Sequence, residues 1–262
     1  MINEDIAKIK GHFYKHFVRL PRSSAEWEFI IVYPLVHIFS IGLLLTFLKG
    51  LGTSSTASAY MLVGAFAWNF YVLCQRGITY GVLKEIWSES AKQMMITPST
   101  SRHFIIGNGL YGVLTALMSL VLMHLVALTF FSFNIFEAGL PLLVGLLGII
   151  FYSIAEGLVV NSIIILKGPE YMHITWIITG IVMVLSAVYY PLELLPPQVQ
   201  VVSNLLPTTH AIQAIRSGLL TNSGMENGLI SVGLGLIYLI LGTLVFRWAI
   251  DKSRKNGTIL RL

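Results

Sequence analysis

Long apolar runs alternate with short polar segments along almost the whole chain. A membrane helix needs about 20 apolar residues to cross roughly 30 Å of hydrocarbon, and six runs reach that length. No polar segment is long enough to fold as a separate soluble domain, so residues 1–262 are interpreted as a single transmembrane domain. The pattern predicts an all-α membrane protein with six transmembrane helices, at Phe29–Leu48, Ala59–Leu83, Phe104–Ser132, Leu140–Leu166, Tyr171–Tyr190 and Leu229–Ile250.

Residues 1–22 are predicted to form an amphipathic helix at the membrane interface. Apolar residues such as Ile9 and Phe13 recur at helical spacing, while the lysines fall on other faces. Basic amphipathic helices of this kind lie flat at the level of the lipid headgroups. Ser23 and Glu26 then match an S-x-x-E capping box, which would begin the first spanning helix.

The segment 84–98, between the second and third runs, is predicted to form a short amphipathic helix outside the membrane core. Its residue pattern places a charged stripe beside an apolar one. The charged stripe contains Glu85 and Glu89, the apolar stripe contains Trp87, Ala91, Met94 and Met95, and Pro98 ends the segment. A helix of this kind can lie on lipid or against a partner protein, and the pattern fits both.

The segment 191–227, between the last two runs, is apolar yet rich in proline. Pro191, Pro196, Pro197 and Pro207 each lack a backbone donor, so a continuous spanning helix is not expected there. The intervening leucines and valines are too apolar for a freely solvated loop. We therefore predict an extracellular re-entrant region of short helices that dip partly into the outer leaflet, with their broken backbone buried by protein.

Composition agrees with a membrane location and argues against several other classes. Charged residues make up 11% of the chain and hydrophobic residues 55%, whereas soluble domains carry about a quarter charged residues. The net charge of +5 resides in the flanks and loops of the apolar runs, which suits lipid headgroups better than nucleic acid. The single cysteine, Cys74, lies in an apolar run, so neither a disulfide framework nor a cysteine-based metal site is expected.

The distribution of Lys and Arg predicts the orientation of the chain. Basic residues concentrate before the first run, after the last run and in alternate loops, whereas the opposite loops hold only Lys49 and Arg216. The positive-inside rule then places both termini in the cytoplasm of a multi-pass protein of the plasma (inner) membrane. An even number of spans agrees with this orientation.

Several short motifs resemble those of the type-2 ABC transporter permeases, and together they extend over nearly the whole chain. They are Tyr33-Pro34, Met95-Ile96-Thr97-Pro98, Tyr189-Tyr190-Pro191, Leu195-Pro196-Pro197, Asn204-Leu205-Leu206-Pro207 and Ala214-Ile215-Arg216. The resemblance implies the membrane subunit of an ATP-driven exporter. Such exporters move amphiphilic or lipid-linked substrates, including glycans, lipo-oligosaccharides and drugs, out of the cytoplasm.

The same resemblance implies the partners of the chain. Permeases of this family pair as dimers, here expected to be a homodimer, and each copy binds a cytoplasmic ATPase subunit that holds ATP and Mg²⁺. The segment 84–98 would be the coupling helix on which the ATPase pushes. The sequence contains no G-x-x-x-x-G-K-[ST] phosphate loop, so we expect no cofactor on this chain and ATP hydrolysis on another polypeptide.

Candidate residues for the translocation path are aromatic, namely Trp68, Tyr71, Tyr189 and Tyr190. Tyr and Trp also collect at membrane interfaces without any role in transport, and that alternative stays open. His37 and His124 are single histidines on apolar helices, and a structural or interfacial role is expected for both.

Arg76 and Glu156 lie inside the second and fourth apolar runs. A charge at the bilayer centre costs about 2.5–3.5 kcal/mol even on the most lenient scale, so such residues usually face protein or water. Their expected depths agree within a side-chain length, and we predict that they form a buried ion pair. Two alternatives are that Arg76 reaches the inner interface, and that each residue meets water in the transport path.

No catalytic constellation of paired carboxylates, or of a nucleophile with a base, is expected from the sequence, and the chain is interpreted as a transport subunit and not an enzyme. Two rival classes are considered. An ion-coupled secondary transporter would need intramembrane coupling groups and often internal repeats, and only the two deep charges fit. An intramembrane enzyme would need His, Asp or Glu clustered near one membrane face.

Overall fold

The computed structural model describes residues 2–52, 55–87 and 100–256. Within these ranges the chain forms helices joined by short turns and contains no strand, which confirms the all-α prediction. The helices are α1 (Ile2–Arg19), α2 (Ser24–Gly50), α3 (Ser55–Trp87), α4 (Ser101–Phe131), α5 (Leu140–Lys167), α6 (Ile174–Leu185), α7 (Pro197–Ser203), α8 (Pro207–Thr221) and α9 (Met225–Asn256).

Helices long and apolar enough to cross a membrane give the chain the character of a multi-pass membrane protein. In the described ranges there are five of them, at Ser24–Gly50, Thr56–Ile86, Ser101–Phe131, Leu140–Lys167 and Met225–Asn256. The predicted span Tyr171–Tyr190 instead forms a 3-10 turn at Pro169–His173 and then α6, which has only 12 residues. Helix α6 ends because the backbone turns away at Ala187, whose φ of 50° lies in the left-handed region.

The N-terminal segment is helical as predicted, and α1 gives way to a 3-10 turn at Leu20–Arg22 that contains Pro21. The predicted capping box at the start of α2 is wrong, because Ser23 makes no side-chain hydrogen bond to the helix and Glu26 turns toward α3. In the segment 191–227, the structure has a 3-10 turn at Leu192–Leu194 and the short helices α7 and α8.

Helices α5 and α9 run parallel along a seam of small residues. Gly235 packs on the backbone of Gly148, and Gly242, two turns further along α9, packs on the backbone of Ala155. Because the residue numbers rise together on both sides, the two helices point the same way. Glycine at these contacts lets the backbones approach more closely than any larger side chain would allow.

Helix α3 lies at the centre of the bundle, parallel to α5 and antiparallel to α4. Ile78 of α3 packs on Gly157 of α5, and Asn161, one turn further along α5, donates a hydrogen bond to the Ile78 carbonyl at 2.9 Å. On the opposite side, Ser119 Oγ of α4 donates to Asn69 Oδ1 of α3 at 2.8 Å. About 78% of the membrane-length window of α3 is buried, so α3 carries most of the core.

Because α5 and α9 are parallel, the chain between them returns along the bundle, and residues 169–190 form the return. At one end, Ile174 packs against a cluster that includes Ile164 of α5. At the other end, the Val188 carbonyl lies so close to Gly64 of α3 that any side chain at Gly64 would collide with it. Helix α8 then lies beside the start of α5, where the Ala211 carbonyl approaches Gly145.

Both described ends of the chain meet at one end of the bundle. Asp5 of α1 and Arg254 of α9 line the same cleft, together with Thr100 at the start of α4. The ends of α3 and α5 lie at this end as well, since both helices run parallel to α9. We call it the terminal end, and we call the end that holds α7 and α8 the loop end.

Helix α9 should tolerate alanine at Gly233 and not at Gly242, which lies in the α5–α9 seam. A Cβ on Gly242 would lie 2.8 Å from the Ala155 carbonyl oxygen, whereas a Cβ on Gly233 would meet nothing within 4 Å. Gly242→Ala should therefore push the helices apart and lower the melting temperature of the detergent-purified protein, at a cost of about 1–3 kcal/mol. Gly233→Ala is the matched control and should melt at or slightly above the wild-type temperature. Equal melting temperatures for the two variants would contradict close packing at this seam.

Candidate functional site

A buried cluster of charges joins α2 to α3 near the terminal end, and we call it the Glu26 cluster (Glu26, Arg76, Lys84, Tyr111 and His16). Glu26 is only 6% exposed; its carboxylate accepts a hydrogen bond from Lys84 Nζ, and its Oε2 lies 4.0 Å from Arg76 Nη1. One carboxylate thus faces two cations inside the bundle. Such an arrangement offsets much of the cost of removing these charges from water.

The guanidinium of Arg76 is also held by aromatic rings. Its Cζ lies 3.5 Å from the centroid of the Phe29 ring and 4.5 Å from that of Tyr80. Ring faces attract cations, and the attraction grows where water is excluded. The first turns of α2 therefore supply both a carboxylate and a ring to the same cation of α3.

Helix α1 covers the Glu26 cluster. The His16 ring stacks on Tyr111 of α4 with centroids 5.0 Å apart, and the His12 ring meets Phe104 edge-on at 5.9 Å. Burial, and secondarily the nearby Lys15, lowers the pKa of His12 to about 4 and the pKa of His16 to about 3. Both rings are therefore neutral at pH 7 and add no positive charge beside Lys84.

Two polar contacts fasten α1 at its ends. Lys15 forms an ion pair with Glu85, close to the end of α3, and the His103 Nε2 of α4 lies 3.0 Å from Asp5 Oδ1. Glu85 was predicted to belong to a coupling stripe, and in the described structure it contacts α1 of the same chain. Helix α1 is thus packed on α4 by its histidine face, a feature that the predicted apolar stripe did not reveal.

The second candidate group is Glu156 of α5, which is 6% exposed. Its Oε1 accepts a hydrogen bond from Thr179 Oγ1 of α6 at 3.2 Å, while its Oε2 has no hydrogen-bond partner in the described part of the chain. Among the same residues, no Lys, Arg or His nitrogen lies within 4.0 Å of this carboxylate. An intramembrane acid without a counter-charge marks a functional-site candidate.

The predicted ion pair between Arg76 and Glu156 is wrong. Arg76 turns toward Glu26 at the start of α2, and Glu156 turns toward Thr179 of α6. Depth along a helix follows from the residue number, but direction around the axis advances about 100° per residue and depends on which helices are neighbours. Here Arg76 has α2 as its neighbour and Glu156 has α6, so the two charges turn toward different helices.

Further polar atoms lie near the level of Glu156 without partners among the described residues. They include Gln75 Nε2 and Thr79 Oγ1 of α3, and Thr175 Oγ1 of α6. The Gln75 carbonyl lies 3.2 Å from the Cβ position of Gly157, the residue after Glu156. Buried polar atoms without partners are few in folded proteins, so this concentration where α3, α5 and α6 meet is unusual.

At the loop end, Arg216 of α8 holds the broken backbone after α6. Arg216 is 4% exposed, and its guanidinium donates hydrogen bonds to four carbonyls. These belong to Ala187 (3.1 Å), Val188 (2.7 Å), Tyr190 (3.3 Å) and Tyr60 (3.1 Å). The Tyr60 ring lies 4.4 Å below the same guanidinium. Sequence analysis treated Arg216 only as a loop charge and a motif residue, and missed this role.

The predicted path residues fall into two separate places. Trp68 and Tyr71 stack on one another inside the bundle, with ring centroids 4.8 Å apart, and both are buried. At the loop end, Tyr189 shares a hydrogen bond of 2.7 Å with His37 Nε2 of α2, and Tyr190 donates to the Val184 carbonyl at 2.7 Å. Unlike Trp68 and Tyr71, Tyr189 and Tyr190 are partly exposed.

The predicted coupling segment 84–98 is described only as far as the end of α3. Glu89, Ala91, Met94, Met95 and Pro98 lie outside the described residues, as does the side chain of Trp87. The predicted structural role of His124 agrees with its edge-on contact to Phe136 at 4.6 Å. Among the described residues, no three His, Cys, Asp or Glu side chains lie close enough together to hold a metal ion.

Removing the charge of Glu26 should destabilise the protein far more than removing the charge two residues away. Glu26→Gln leaves Arg76 and Lys84 buried without a counter-charge, which should cost about 3 kcal/mol and lower the melting temperature by several degrees. Glu28→Gln is the matched control, because Glu28 is exposed and lies only two residues further along the same helix. Similar melting temperatures for both variants would show that the Glu26 cluster does not hold α2 to α3.

A scan against models of known protein families finds no match to this chain, and a search of curated proteins finds no similar sequence. The resemblance to type-2 permeases therefore rests on the motifs of the chain itself.

Proposed function

We propose that this chain is the transmembrane permease subunit of an ATP-driven exporter of the type-2 ABC class. One observation carries the proposal. The end of α3, just before residues 88–99, is bound to α1 through Lys15–Glu85 and to α2 through Lys84–Glu26. A force applied to the segment 84–98 would thus move α1, α2 and α3 together.

This linkage supports a mechanism in which a cytoplasmic ATPase subunit, carrying ATP and Mg²⁺, pushes on the coupling helix 84–98. The two ion pairs pass the displacement to the inner ends of α1 and α2. Toward the loop end, His37 of α2 shares a hydrogen bond with Tyr189. A displacement at the terminal end would therefore be transmitted to Tyr189 and Tyr190, the candidate path residues at the opposite end.

We infer six crossings, with residues 169–190 as the fifth. The 3-10 turn and α6 together extend about 28 Å, at about 1.5 Å per α-helical residue and about 2.0 Å per 3-10 residue, close to the thickness of the hydrocarbon. The meeting of Asp5 and Arg254 at one cleft supports an even number of crossings. The basic residues of the flanks favour a cytoplasmic position for that end in the plasma membrane.

The outer faces of the spanning helices suit lipid and a second copy of the chain. Val36, Leu43 and Phe47 of α2 are each more than 60% exposed, and Trp176 and Ile177 of α6 more than 50%. Apolar faces of this extent need cover from lipid or protein. In a homodimer, the path for an amphiphilic or lipid-linked substrate would run between the two copies.

Cysteine labelling tests the six crossings. A cysteine at Asn222, which is exposed at the loop end, should react with an impermeant thiol reagent added to intact cells, and a cysteine at Ser99 should not. The native Cys74 is fully buried and gives a low background in the unmodified protein. Reaction at Ser99 from outside, or at both sites, would overturn the topology.

Trp87→Ala tests the coupling role. A buried aromatic anchor often dominates such a contact, so loss of Trp87 should release the ATPase from the purified complex and stop export, with normal insertion of the permease. Trp248→Ala is the matched control, since Trp248 is 54% exposed at the same end, with Lys252 Nζ 4.7 Å from its ring centroid. If ATPase binding and export both survive in the Trp87 variant, the segment 84–98 is not the coupling helix.

An ion-coupled secondary transporter is the second candidate, and Glu156 is the observation that favours it. A carboxyl with an unpartnered oxygen could exchange a proton during transport. In that case Glu156→Gln would abolish transport, and transport would continue without any ATPase. In the exporter, inactivating the ATPase stops transport, while dissipating the proton gradient does not.

A further inference from the structure

A cleft of about 580 Å³ opens at the terminal end between α1, the start of α4 and the end of α9. We call it the arginine cleft, because arginines from two helices line it together with two aspartates. Its charged lining residues are Asp5, Arg102, Arg247, Asp251 and Arg254, and His103 lines it as well. None of these residues belongs to the Glu26 cluster or to the proposed coupling segment.

The arginines of this cleft form no ion pair with any carboxylate that the structure describes. In the described part of the chain, no carboxylate oxygen lies within 4.0 Å of Arg102, Arg247 or Arg254. Asp5 is already engaged by His103 at 3.0 Å, and Asp251 is the remaining acid. Three guanidiniums against two carboxylates leave an excess of one positive charge. The start of α4 adds the positive end of a helix dipole to the same side.

The same face of α9 is apolar further into the membrane. Leu236 and Ile240 precede Arg247 and Arg254 at the spacing i, i+4, i+11 and i+18, which places all four on one side of the helix. Leu236 is 42% exposed and Ile240 is 61% exposed. Along this side, the helix thus changes from an apolar surface to a cationic cleft.

The neighbouring residue Trp248 marks the depth at which this change occurs. It is 54% exposed, and Lys252 Nζ lies 4.7 Å from its ring centroid. Tryptophan and lysine side chains collect at the level of the lipid headgroups. The arginine cleft therefore lies at headgroup depth, with the apolar surface of α9 at the depth of the acyl chains.

We propose that the arginine cleft binds the phosphate of one anionic phospholipid, whose acyl chain lies along Leu236 and Ile240. Guanidinium groups bind phosphate oxygens through paired, charge-assisted hydrogen bonds. The single negative charge of a phosphodiester matches the excess of one positive charge, and Asp251 opposes the higher charge of free phosphate. The site needs only the membrane character of the chain and is independent of what is exported.

The test is native mass spectrometry of the full chain, purified in mild detergent and mixed with defined lipids. The unmodified protein should retain one phosphatidylglycerol in clear preference to phosphatidylcholine. The double variant R247Q/R254Q should bind phosphatidylglycerol about tenfold more weakly or worse, because charge-assisted bonds to the phosphate are lost. The matched control K252Q/K255Q removes two charges from the same helix outside the cleft lining and should bind as the unmodified protein does.

A single variant, R102Q, keeps the test valid if the double variant folds poorly, because Arg102 is exposed on a different helix. It should also weaken phosphatidylglycerol binding severalfold. Equal binding by R102Q, by R247Q/R254Q and by the control would overturn the site. Equal retention of phosphatidylcholine would overturn the preference for an anionic lipid. Competition by millimolar inorganic phosphate would identify a site for soluble phosphate and overturn the lipid assignment.

Discussion

The hydrocarbon core of a bilayer contains no water to form hydrogen bonds with backbone amides and carbonyls. Wherever a helix breaks there, other protein groups must therefore form those hydrogen bonds. One such break follows α6, where the backbone turns at Ala187 while still packed against α3. Arg216 satisfies the freed backbone by donating to the carbonyls of Ala187, Val188 and Tyr190, at and after the turn, and to that of Tyr60 of α3. Much of the loop end depends on this one guanidinium.

Three consequences of that repair extend beyond the turn itself. The turn brings the Val188 carbonyl onto α3, which requires glycine at position 64. It directs Tyr189 toward His37, so that α2 is joined to the segment after α6. It also fixes α8, the helix that carries Arg216, beside the start of α5. A residue that looks like an ordinary loop charge in the sequence is therefore the centre of the loop end.

The sequence predicts well how far along a helix axis a residue lies, and poorly which way its side chain points around that axis. Hydropathy located every long helix, because apolar length is a property of consecutive residues. It did not reveal that α6 stops at Leu185, since residues 186–190 contain no charge, glycine or proline that would mark a helix end. It matched Arg76 with Glu156 by depth, yet the partner of Arg76 is Glu26, which resembled a helix cap. Neighbour relations between helices decide such pairings, and one sequence does not contain them.

The charges of the membrane domain divide into two kinds. Those of the Glu26 cluster, near the terminal end, are paired, and they join helices into a mechanical unit. Glu156 near the middle is unpaired and sits among other polar atoms without partners. The first kind suits a subunit driven by an external motor, and the second suits one that exchanges a small cation. The chain carries both, and their separation along the bundle lets each be altered alone.

The glycine contacts along α5 and α9 have a consequence for where cargo could travel. Backbones that touch at Gly148 and Ala155 leave no lumen between these helices, and Gly157 closes the space toward α3 in the same way. A conduit between these helices would have to separate backbones that are in direct contact. The exposed sides of α2 and α6 have no such barrier. In the proposed homodimer, these exposed sides would then form the wall of the path, half of it from each copy.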